Sequence, residues 1–121
     1  MVKATVTIQN KTYTTFPNLV RNDKGFDIQF NVLLNDEVTP FDLTGGTIVF
    51  KARFLDATIL KITGSCTIIS ATAGTCKYTV ATGNLDTIGV LEAELEITQG
   101  VGGTIINTAK LGRITVLEDL P

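Results

Sequence analysis

The chain has 121 residues, 44% of them hydrophobic and 18% charged, with a formal net charge of −2 and a pI near 5.0. This fits one domain (residues 1–121) able to bury its own core and too apolar for disorder. The Lys and Arg residues form no cluster, so nucleic acid has no electrostatic footprint here. Histidine and tryptophan are both absent, which removes the commonest general base, the commonest metal ligand and one ring suited to stacking on sugars.

The N-terminal stretch "MVKATVTIQNKTYTTF" alternates and is rich in Thr, which predicts a strand at Ala4–Gln9. It has no continuous apolar core of the kind a leader peptide needs. No apolar run approaches the roughly 20 residues that span a bilayer. The expectation is a chain made in a cytoplasm, leaving it by a route such as cell lysis, with no membrane partner. Residues 10–24, "NKTYTTFPNLVRNDK", lose the alternation and hold Pro17 and several Asn. Two readings stay open for them: an ordered arm or crossing loop, and an irregular edge strand.

Clean alternation follows. In "FDIQFNVLL", Phe26, Ile28, Phe30, Val32 and Leu34 share one face. In "TIVFKARF", Ile48, Phe50, Ala52 and Phe54 oppose Lys51 and Arg53. In "VLEAELEIT", Leu91, Ala93, Leu95 and Ile97 oppose Glu92, Glu94 and Glu96. This is the pattern of an antiparallel sheet with one wet face. Shorter strands are expected at Ile59–Thr63, Cys66–Ser70, Cys76–Ala81, Thr104–Thr108 and Arg113–Leu117. Turn residues separate them: Asn35-Asp36, Gly45-Gly46, Gly74, and Gly100 with Gly102 and Gly103. "TGNLDTIG", residues 82–89, has room for one helical turn. Many short strands with regular turns predict an all-β sandwich or barrel.

Little in the chain is equipped for chemistry. Cys66 and Cys76 lie on the apolar parity of neighbouring strands joined through "SATAGT", so they are either a disulfide or a pair of buried thiols. With no leader, reduced thiols are favoured. Two Cys without His do not close a zinc site. Glu92, Glu94 and Glu96 recur at about 6.6–6.8 Å along one strand face. That spacing would suit paired hydrolytic carboxylates, but such an acid needs burial and these lie on the wet face. They read as a solvated row. Ser65 and Ser70 have no base to activate them. The "GVGG" glycines precede a strand rather than a helix, so they form a hairpin loop. "NKT" at Asn10 matches a glycosylation sequon by chance. The expectation is a non-enzyme with neither cofactor nor metal. A second expectation, a carbohydrate-binding module, rests on the loop aromatics Phe16 and Phe41.

Four pieces in order carry a resemblance: Asp42-Leu43-Thr44-Gly45 opening a strand, Gly74 before the strand of Tyr78, Gly89 through Glu94, and the closing "GRITVLED". Together with "GFDIQFNVLLNDEVTPFDL" they make residues 20–118 similar to the N-terminal domain of phage upper baseplate proteins and related tail-fibre domains. The resemblance implies an immunoglobulin-like antiparallel β-sandwich that docks onto a virion, assembled in a bacterial host's cytoplasm. It implies other virion proteins as partners and a homo-oligomer, trimeric or hexameric by tail symmetry. A baseplate or tail adaptor is the first expectation. A capsid decoration or head-fibre attachment protein is the alternative. The interface residues expected on this reading are Tyr13, Phe16, Leu19 and Phe41.

Overall fold

The computed structural model describes residues 2–120. Among them the chain is all-β. Its strands are β1 (Val2–Ile8), β2 (Lys11–Tyr13), β3 (Leu19–Val20), β4 (Asp27–Leu34), β5 (Thr47–Phe54), β6 (Ile62–Ser65), β7 (Thr67–Ser70), β8 (Thr75–Thr79), β9 (Gly89–Gln99) and β10 (Ile105–Leu117), with a short 3-10 turn at Val101–Gly103. Two five-stranded sheets result, in the orders β2-β1-β4-β8-β7 and β3-β10-β9-β5-β6. Every pairing is antiparallel except β3 with β10, where Leu19 lies beside Val116 in parallel.

The alternation decides which faces meet. Ile28, Phe30 and Val32 of β4, Ile48, Phe50 and Ala52 of β5, and Leu91, Ala93, Leu95 and Ile97 of β9 are all buried. Phe30 and Phe50, from opposite sheets, bring their ring centroids within 5.3 Å, and Phe50 meets Tyr78 of β8 at 5.1 Å. One apolar core therefore lies between the sheets. Each large side chain in it contributes about 1.5–3 kcal/mol by leaving water.

Residues 10–24 join the sheets at one side. β1 and β2 form a hairpin through Gln9-Asn10, both at positive φ (49° and 70°), the geometry of a tight two-residue turn. The strand predicted at Ala4–Gln9 thus ends one residue earlier, at Ile8. The chain then crosses to the other sheet, with Phe16 between them, 6.4 Å from Phe30 and 6.3 Å from Phe50. It resumes as β3 on the edge beside β10. Both expected readings hold in part: the segment is a crossing loop, residues 14–18, between two short edge strands, β2 and β3.

Other boundaries also differ from expectation. The strands predicted at Thr104–Thr108 and Arg113–Leu117 are one strand, β10, with a bulge between Lys110 and Gly112. Ile59 and Leu60 lie in an exposed loop, and β6 begins only at Ile62, opposite Ala52. Residues 82–85 form a turn and not a helical one. Asn84 closes it by bonding the Ala81 carbonyl at 3.1 Å, and its side chain accepts from Ala81 N and the Tyr78 hydroxyl.

Candidate functional site

The motif residues 42–45 lie at the end of the molecule where β4 runs into β5. Asp42 Oδ1 accepts from Thr44 N at 2.9 Å and from Thr44 Oγ1 at 2.5 Å. Leu43 is fully buried, and Gly45 holds a φ of 72°. The Gln99 side-chain amide spans the gap from β9, donating to the Asp42 and Thr44 carbonyls at 3.0 and 3.3 Å. Asp36 builds a similar turn nearby, accepting from Val38 N, Thr39 N and Thr39 Oγ1. The Thr44 and Thr39 hydroxyls hold the Asp42 and Asp36 carboxyls below the usual aspartate range. Gly74, with φ 72°, packs under this end. A Cβ there would come within 2.5 Å of the Val32 carbonyl oxygen and 2.8 Å of that of Phe41. At the opposite end a Cβ on Gly89 would strike the Phe54 ring at 2.9 Å. The quoted motif thus consists of turn builders and close-approach glycines.

The outer face of the β10-β9-β5-β6 surface carries a ladder of charge. Glu92 takes Arg53 from β5 at 2.7 Å, Glu96 takes Lys51 from β5 at 3.0 Å, and Glu94 takes Lys110 from β10 at 2.8 Å. Arg113 stands opposite Glu92 on the other side. A shallow depression of about 470 Å³ lies over all of these residues but Glu96. Each glutamate of the row is matched by a cation on an adjoining strand, an arrangement that registers strands. The four cations and three glutamates leave the face close to neutral. The predicted solvated row gains its partners from strand adjacency that spacing alone does not reveal.

Cys66 and Cys76 do meet. Cys76 is completely buried and Cys66 partly so, and both are thiols in this structure. The neighbouring Cys76 thiol, with burial behind it, pushes the Cys66 thiol up, and Cys66 draws Cys76 down.

The expected interface residues separate. Phe16 and Leu19 are buried at 8% and 7% exposure, so neither is available to a partner. The irregular segment that carries them is irregular because it crosses the core, not because it hangs free. Phe41 is half-buried against the core, held by its amide on the Val32 carbonyl at 2.9 Å. Tyr13 is half-buried, with Lys11 Nζ 5.4 Å from its ring centre, and edges a depression of about 350 Å³ with Gln9, Asn18 and Asp23. The exposed apolar groups are elsewhere. Val38, Val101, Ile105 and Ile106 lie at the β4–β5 end, and Leu55, Ile59, Leu60 and Ile88 at the other. A clue to the first group was in the sequence, since Val101 and Ile105 lie beside Gly100, Gly102 and Gly103 without the alternation of a half-buried strand.

Among the described residues no buried side-chain nitrogen or oxygen lacks a partner. No group of three or more Cys, Asp or Glu among them could hold a metal ion, and no helix is long and apolar enough to cross a membrane. Comparison with protein-family models and with curated proteins finds no match to this chain.

Proposed function

We propose that the chain is a non-enzymatic structural module of a bacteriophage virion, a baseplate or tail attachment or adaptor piece. It has an immunoglobulin-like β-sandwich and works by protein–protein assembly in several copies. The observation that carries the fold part is strand order. Taking β1, β4, β5, β7, β8, β9 and β10 as A, B, C, D, E, F and G, the sheets run A-B-E-D and G-F-C, the order of immunoglobulin sandwiches. The virion part rests on the sequence resemblance, and the motif residues behind that resemblance are the ones that shape the turns and close approaches. Carboxylates matched by cations, and polar groups already satisfied, suit a scaffold that presents surfaces. The exposed aliphatic groups at both ends are the material for contacts.

Light scattering on the purified protein over a range of concentrations tests the reading. A trimer or hexamer is expected. A monomer at every concentration, together with failure to bind the other virion proteins of the same phage, overturns it. Labelling on the head rather than the tail would move the assignment to a decoration or head-fibre attachment protein. An adhesion reading keeps one observation in its favour, the depression edged by Tyr13. Glycan-array binding lost in Tyr13→Ala would support it.

A further inference from the structure

Cys66 is the single residue between β6 and β7, the point where the chain leaves one sheet for the other. Its amide donates to the Ile48 carbonyl of β5 at 2.8 Å, so its backbone is fastened to the sheet it is leaving. The strand it opens, β7, pairs with β8 in the other sheet, where Ile68 faces Cys76. Cys66 and Ile68 are two apart, so Cys66 and Cys76 share the inward face. The register leaves Cys76 diagonal to Cys66 on that face, and the chain has no other cysteine.

We propose that Cys66 and Cys76 are a dithiol that a small-molecule disulfide oxidises to an intramolecular disulfide, fastening the sheet-to-sheet crossing to β8. Cys66, the partly exposed member, reacts first. Its thiolate attacks one sulfur of R–S–S–R, forming a mixed disulfide and expelling RS⁻. The Cys76 thiolate then attacks Cys66 Sγ, forming the Cys66–Cys76 bond and expelling the second RS⁻. The two thiol protons end on the two RS⁻ groups. The protein gives up two electrons and R–S–S–R takes them, so the sum is dithiol plus disulfide giving protein disulfide plus two RSH. Cys76, with no exposure, reaches no thiol outside its own chain, which makes the closure intramolecular. Cys66 is hard to ionise where it stands, so the first step is slow.

The test uses the whole reduced chain with oxidised glutathione, native and in guanidinium chloride, read by intact mass and by Tm. The native protein is expected to lose the mass of two hydrogens and keep no glutathione. Its Tm should rise by about 10 °C for a loop this short, reversibly with dithiothreitol. Cys76→Ala is expected to stop at the Cys66–glutathione adduct. The proposal is overturned if the native chain remains a dithiol while the unfolded chain oxidises. It is equally overturned if the wild type halts at the adduct, or if the disulfide forms without raising Tm. None of these outcomes depends on the virion reading.

Discussion

Of the five passages the chain makes between the sheets, β2 to β3 and β6 to β7 join edge strands at opposite sides of the molecule, and these two are built differently. At the first, residues 14–18 cross with Phe16 wedged in against both Phe30 and Phe50. At the second, Cys66 alone makes the passage, held by one backbone hydrogen bond and one sulfur neighbour. The first closes its side of the core with a large apolar side chain. The second closes its side with main chain, two small thiols and the Tyr78 ring of β8, which lies flush against Gly64 of β6. At the crossing residue itself, packing supplies less and covalent chemistry could supply more. The comparison teaches that a two-sheet core need not be sealed by the same force on both sides.

Replacing the wedge has the largest expected effect. Phe16→Ala should destabilise by about 3 kcal/mol, as large-to-small changes in a core do, with the urea midpoint falling at unchanged m. A loss below about 1 kcal/mol would break the comparison. Gly74→Ala should follow, at about 2 kcal/mol, because φ is 72° and the new Cβ would press on the Val32 and Phe41 carbonyl oxygens. Its cost should be native-state strain, visible as faster unfolding with little change in folding rate. Cys66→Ala in the reduced protein should lose about 1 kcal/mol, the small end of the scale. A loss equal to that of Phe16→Ala would mean that the two crossings bear alike.

The smallest effect is expected at acid pH. Asp36 and Asp42 ionise below the ordinary aspartate value of 3.8 because Thr39 and Thr44 hydrogen-bond their charged forms. The folded state therefore binds fewer protons than the unfolded one below that value. Stability from these turns is fully present above pH 3.8 and is lost as pH falls below it, through the lower folded values. Denaturant midpoints against pH should be flat above roughly pH 5 and fall below pH 4. The fall should be shallower in Asp36→Asn and Asp42→Asn.

Much of the fold was legible in the sequence because period-two alternation in β4, β5 and β9 is a direct record of one buried face. The breaks in that record were harder to read. In β10, Ala109 and Leu111 are buried on odd positions and Ile114 and Val116 on even ones. The bulge before Gly112, which takes φ 81°, switches the parity inside one strand, so one strand looks like two. Residues 14–18 show no period because they cross between sheets, and Phe16 looks like a loop aromatic for the same reason. Ile59 carries strand-like chemistry but is 80% exposed, since the pairing of β5 and β6 starts from Ala52 and Ile62. On the outer face the glutamate row was readable. Its partners Lys51, Arg53 and Lys110 were not, because β5, β9 and β10 become neighbours only on folding.

Native-state hydrogen exchange, resolved by residue, tests most directly the claim that both sheets share one core closed at both sides. Amides in β4 and β8 of one sheet and β5 and β9 of the other should exchange with the same free energy, equal to that of global unfolding. A lower value confined to one sheet, with that sheet opening while the other stays protected, would contradict the account.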